Sequence, residues 1–255
     1  MNIAEMSSDA ATKLWDDNIN RKLFDLTHSQ NSVEAFGGLL AIGASPLHKS
    51  ADNVLIDITE SLLKLNEQEE TIESKRNLFR FYNYVKHLLP NHDVNLMLAA
   101  SKTLGCIAKI GGSAFGERFM DYEVPAAIEL MQPDKQESPR YAGVLILKEL
   151  AKNSPTYFHS HISIVFDNIL GPLRDQRVIV REGAAELLAA CLEIVTQRER
   201  QARSPYLAKI LQDSQAGLKQ PQPEVIHGSL LTYRELLLHA GMVRLNRALH
   251  LIWFS

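Results

Sequence analysis

The sequence predicts an all-α fold, an α-solenoid in the form of a HEAT/armadillo-like superhelix of about five antiparallel helix pairs. The first observation is a small residue recurring at one point of successive helical segments: Gly38, Ala100, Ala142, Gly183 and Gly228. These anchors are 62, 42, 41 and 45 residues apart, and the last three intervals fall in the roughly 40–47-residue period of such repeats. The second is the helical period itself, clearest in residues 180–188. There Gly183, Ala184 and Leu187 share a face, with Leu188 and Cys191 a turn further on, while Arg181, Glu182 and Glu186 take other directions. The third is physical: one helix pair cannot bury its own apolar stripe, so about three or more must stack before a continuous core exists.

Residues 1–11 are small and polar, with Ser7, Ser8 and Asp9 together, and are expected to form a disordered lead-in to a repeat region spanning 12–240. Leu14, Ile19, Leu23, Phe24 and Leu26 mark an amphipathic helix, and Ser32 stands at the N-cap of the next, giving a first pair over 12–45. An insertion over 46–71 loosens the pattern, although Val54, Ile56, Ile58 and Leu62 permit some helix; it accounts for the long first interval. In the second pair, 72–111, Leu78, Phe79, Phe81, Tyr82, Val85 and Leu88 form a face that Pro90 stops. Asp93 caps the helix carrying Ala100, and Gly111-Gly112 ends it.

The third pair, 117–153, joins helices at 117–131 and 140–152; the fourth, 156–197, joins 156–173 to 178–196. The fifth, 204–240, crosses the Pro221-Gln222-Pro223 turn. Residues 241–255 read as an atypical apolar tail, with Leu245, Leu249, Leu251, Ile252, Trp253 and Phe254. Solenoids normally finish on a polar capping repeat. The tail is therefore expected either to fold back as a cap or to mark a fragment whose continuation covers that face, the second being preferred. Such an apolar end is expected to promote self-association.

The 255 residues are 45% hydrophobic, which excludes wholesale disorder. Lys plus Arg number 27 against 30 Asp plus Glu, so the net charge of -3 gives no broad electrostatic reason to expect nucleic acid. Cys106 and Cys191 lie far apart on apolar stripes and read as inert core thiols. With no charged leader, no glycosylation acceptor and no run of about 18 apolar residues, a cytoplasmic location is expected, peripheral at endomembranes if the chain sits in a larger complex.

No catalytic, metal or cofactor site is expected. Gly111-Gly112-Ser113-Ala114-Phe115-Gly116 has neither phosphate-loop order nor a preceding strand, and reads as a helix-helix loop. His159 and His161 are two apart, which sends them in different helical directions, and no further ligand completes a zinc pattern. Nucleophile-elbow and protein-kinase motifs are absent from the sequence. Ser138-Pro139, Ser154-Pro155 and Ser204-Pro205 each place a cap before a proline at a helix start. Arg174, Arg177 and Arg181, then Arg198, Arg200 and Arg203, read first as a solvated face. Asp175 and Arg181 are expected to form an exposed pair that bridges adjacent repeats.

Several stretches together resemble the N-terminal HEAT-repeat region of the target of rapamycin (TOR) serine/threonine protein kinases. They are Phe166-Asp167-Asn168-Ile169, Arg181-Glu182-Gly183-Ala184, Ala190-Cys191-Leu192, Thr196-Gln197-Arg198-Glu199 and Ile226-His227-Gly228. Gly37-Gly38, Leu88-Leu89-Pro90, Ala100-Ser101-Lys102 and Leu147-Lys148-Glu149-Leu150-Ala151 add to the likeness in the same order, over roughly residues 15–240. The resemblance implies a protein-binding scaffold in nutrient-responsive growth signalling, contributing to TOR complex assembly, with a Raptor-type subunit and a Rheb-like small GTPase as partners. It implies no kinase activity for this chain, whose full-length relative would be the enzyme; the alternatives are a part of a full-length serine/threonine protein kinase whose catalytic domain is absent here, or an unrelated HEAT-repeat adaptor. Exposed linkers are where partners are expected, with Arg198, Glu199, Arg200 and Arg203 as candidate contacts.

Overall fold

The computed structural model describes residues 72–198 and 205–240, and every regular element among them is helical. The all-α, solenoid-like fold class is therefore observed. The expected lead-in, first pair, insertion and tail, together with Gly38 and Ser204, lie outside the described residues. The chain divides into two compact units, Met1–Leu88 and Leu89–Ser255.

From the first unit the described element is helix α1, Ile72–His87. Leu78, Phe81, Tyr82 and Val85 recur at helical spacing and are buried. Lys86 places a positive charge at the carboxyl end of the helix dipole.

The second unit opens with α2, Val94–Gly111, whose first amides are held by the Asp93 carboxylate (2.9 Å from Asn95 N, 3.4 Å from Leu96 N). It closes where Gly112 takes a φ of 48°, a conformation that costs a residue without a Cβ little. A 3₁₀ turn over Gly112–Phe115 then buries Phe115 against the edge of Phe119, 4.6 Å between ring centres. Helices α3, Glu117–Leu130, and α4, Glu137–Asn153, follow.

The segment expected as one helix over 156–173 is instead broken into α5, Pro155–Phe158, a 3₁₀ turn at His159–His161, α6, Ile162–Asn168, and α7, Leu170–Leu173. Pro172 cannot donate to the carbonyl four residues back, at Asn168, and the helix breaks there. At the earlier break Ser160 Oγ donates to the Tyr157 carbonyl (3.1 Å), a local bond that competes with the helical ladder. Helix α8, Val178–Arg198, α9, Pro205–Gly217, and α10, Pro223–Glu235, complete the unit before a π-helical turn at Leu236–Ala240.

Helix α4 sits between α2, α3 and α8, and all its residues from Tyr141 to Ala151 are buried. The second helices of successive pairs, α2, α4, α8 and α10, stack each on the next, while α3 meets α5 and α6 meets α9 beside them. Small residues set these approaches. A methyl at Gly143 would stand 2.5 Å from the Ala127 carbonyl oxygen on α3, and one at Gly183 3.0 Å from the Tyr141 ring and 3.2 Å from Val144 on α4. A methyl at Gly228 would fall on the Leu173 carbonyl of α7.

Two local expectations are corrected. Helix α4 begins at Glu137 with Gln136 at the cap, so Ser138 is inside the helix; Pro139 is tolerated because the first four helical amides have no intrahelical acceptor. Ser154 does occupy a cap position, but its hydroxyl makes no cap hydrogen bond.

Candidate functional site

Among the described residues, charged and polar side chains meet at the joints between repeats. At the first, the Arg140 guanidinium of α4 meets the Asp175 carboxylate as a fork, Nε to Oδ2 at 2.6 Å and Nη2 to Oδ1 at 3.0 Å. Its Nη1 donates to the Lys135 carbonyl at 2.6 Å, tying the turn before α4 to the turn before α8. The hydrogen bond to Asp175 raises the Arg140 guanidinium above its ordinary value, holding it charged. Asp175 Oδ1 also accepts from the Arg177 amide at 2.9 Å, and the Arg177 side chain pairs with Glu137 at 2.7 Å on the surface.

Arg181 is the corresponding side chain of the next repeat, and its bonding corrects the expected Asp175–Arg181 ion pair. Its Nη1 donates to the backbone carbonyls of Asp175 and Gln176, at 2.5 and 3.0 Å, while Nε donates to Nδ1 of His227 on α10 at 2.9 Å. Arg181 is buried, not solvated, because α8 is packed on nearly all sides. The Asp175 carboxylate thus bridges backward to Arg140, and Arg181 bridges forward to His227.

Further along the stack Lys148, buried on α4, lies 3.5 Å from Glu149 on its own helix and 3.0 Å from Glu186 on α8. His239, in the turn after α10, lies 3.2 Å from Glu193 of α8 and 3.3 Å from Glu235 of α10, and Thr196 Oγ1 donates to its carbonyl at 3.0 Å. The first helices carry lighter links: His161 to Asp121 and Lys209 to Asp167, at 3.0 and 2.9 Å. The Asp167 hydrogen bond raises the Lys209 ammonium above its usual value.

Of the residues singled out from sequence, Ala100, Ala142, Gly183 and Gly228 are buried in the stacked helices. Arg198 is exposed at the end of α8, with Nη1 3.5 Å from the Thr156 carbonyl, while Glu199, Arg200 and Arg203 lie outside the described residues. Burial pushes the Cys191 thiol up, and Cys106, only partly buried, is raised by burial and by Glu149 against the opposing pull of Lys109. His161 turns its two ring nitrogens to Ser160 and Asp121. Among the described residues no group of three His, Cys, Asp or Glu side chains can hold a metal ion, and no helix is long and apolar enough to cross a membrane.

Sequence reasoning missed Arg140 and Lys148. A signal for the first existed: Arg140 and Arg181 each stand two residues before a small anchor, Ala142 and Gly183. That register, rather than the clustering of arginines, marks the side chains that join repeats.

This helical stack with charged joints has clear relatives among curated proteins. The serine/threonine-protein kinase tor1 of Schizosaccharomyces pombe is 37% identical over 237 residues, 93% of this chain and 9% of the kinase. Over most of its length the chain is homologous to TOR serine/threonine kinases. TOR2 of Saccharomyces cerevisiae is 31% identical over 88% of the chain and 8% of its own length, and TOR of Arabidopsis thaliana 32% identical over 75% and 8%. The chain therefore spans about a tenth of the length of these TOR relatives. No family model matches it.

Proposed function

We propose that the chain is a protein-protein interaction scaffold of the TOR type, corresponding to the N-terminal HEAT-repeat region of those kinases and contributing to assembly of TOR complexes. The observation that carries this reading is the homology to tor1 across 93% of the chain. The stack itself supports it: Arg140–Asp175, Lys148–Glu186 and Arg181–His227 couple successive repeats, and stacked repeats of this kind offer continuous surfaces to protein partners. In this reading the chain binds and does not catalyse. A Raptor-type subunit and a Rheb-like small GTPase are the partners, and the setting is cytoplasmic, at endomembranes within the complex.

The test is a chimera in which this chain replaces the matching segment of Schizosaccharomyces pombe tor1. Retention of the Raptor-type subunit on immunoprecipitation, with growth restored, is the expected outcome. A chimera that accumulates normally and keeps kinase activity, yet loses that subunit and fails to restore growth, overturns the scaffold reading.

A further inference from the structure

Helix α10 carries the coupling device of α4 with its outward half unused. In α4, Lys148 and Glu149 stand six and seven residues after the anchor Ala142; in α10, Arg234 and Glu235 stand six and seven after Gly228. Both glutamates are buried, and each is paired with the cation beside it, at 3.5 Å for Lys148 and 2.6 Å for Arg234. Lys148 has a second partner, Glu186, three residues after the anchor Gly183 of the helix packed on α4. Arg234 is half-exposed, and its ion pair is with Glu235 of its own helix.

The apolar positions follow the same register. Two and nine residues after the anchor stand Val144 and Ala151 in α4 and Ala185 and Leu192 in α8, all buried to 1% exposure or less. Each of those helices has a successor packed on it. In α10 and the turn after it the same two positions are Leu230 and Leu237, exposed by 54% and 49%. Helix α2 keeps a different register, meeting α4 through Gly105 against Glu149 and Asn153. Two leucines flanking a half-exposed arginine, where α4 meets a carboxylate-bearing helix, define both shape and charge.

We propose that this face of α10 is a docking site for a helix of a partner protein that carries a carboxylate three residues after a small residue, as Gly183 and Glu186 do in α8. The leucines supply the apolar contact and Arg234 the charge that fixes the register of the incoming helix. The site specifies the scaffold reading and rests on it only for its use in the cell.

The probe is a fluorescein-labelled synthetic peptide with the sequence of α8, added to the purified full chain and followed by anisotropy. Saturable binding is expected, weakened roughly tenfold or more by Leu230→Ser with Leu237→Ser. Glu186→Lys in the peptide should weaken it by roughly two- to fivefold, the range of an exposed ion pair. Arg234→Glu in the chain should restore binding of that reversed peptide. The peptide change leaves the chain untouched, so the charge test survives if Arg234→Glu fails to fold. Absence of binding, binding indifferent to the two leucines, or binding indifferent to the peptide's charge overturns the proposal. The tor1 chimera reads the scaffold function separately, so either can fail without the other.

Discussion

Arg140 and Asp175 face each other as fork and carboxylate across 35 residues of sequence, with hydrogen bonds of 2.6 and 3.0 Å and both side chains largely withdrawn from water. The same carboxylate receives the Arg177 amide near the start of α8, so one side chain both joins two repeats and helps fix the approach to a helix. Asp175→Ala takes the fork's carboxylate from the partly buried Arg140 guanidinium, which keeps its bond to the Lys135 carbonyl, and should cost about 2–3 kcal/mol. Arg177→Ala, which removes an exposed pair with Glu137, should cost under about 0.5 kcal/mol. Urea unfolding of both variants checks this; equal losses would show that the joint is no more than another surface pair.

How much of this was legible in sequence depended on range. Asp93 and Gly112 act within a few residues, by capping and by positive φ, and both effects are visible in residue type alone. The fold class was legible because a repeat period survives substitution of the residues that carry it. The partner of Asp175 was not, because nothing near position 175 distinguishes Arg181, six residues on, from Arg140, on the preceding helix pair. The broken helix over Pro155–Leu173 had its sign in Pro172, but the apolar period of Phe158, Ile162, Val165, Phe166 and Ile169 runs straight through the breaks. The docking face of α10 became visible only once the exposure of equivalent positions in α4, α8 and α10 was compared.

The small residues separate by what lies opposite them. At Gly228 a methyl group would meet the Leu173 backbone, which cannot rotate away, whereas at Gly183 it would meet the Tyr141 ring and Val144 at 3.0 and 3.2 Å. Gly228→Ala should therefore destabilise by about 3 kcal/mol through overpacking. For Gly183→Ala the crowding is offset by the roughly 1 kcal/mol helix preference of alanine over glycine, leaving a net change within about 1 kcal/mol. Thermal unfolding followed by circular dichroism measures both, and a Gly228→Ala chain as stable as the parent would contradict the close α7–α10 contact.

Lys148 and Glu149 test whether the buried charges act as a unit. Lys148→Met alone strands Glu149, whose remaining side-chain donor is Asn153 Nδ2 at 3.3 Å, and should cost about 3 kcal/mol. Adding Glu149→Gln removes the stranded charge, so the double variant should recover to within about 1 kcal/mol of the parent. Additive losses across the cycle would mean that the two side chains contribute independently.

Tyr141 gives the joint a dependence on alkaline pH. It is buried against α8, and burial first, then the charges of Glu186 and Glu182, push its phenol up to about 12. The unfolded chain ionises this group near pH 10. An acid raised on folding contributes stability that is whole below its unfolded pKa, declines above it, and is gone once pH passes the folded value. The loss attributable to Tyr141 should begin near pH 10 and reach about 1 kcal/mol by pH 11. Urea unfolding at pH 9 and pH 11 measures the slope for the parent and for Tyr141→Phe, which lacks the titrating group. The parent should lose more than the variant over that interval, and the excess is the share of this phenol. Parallel losses would mean that the α4–α8 interface admits the phenolate without penalty.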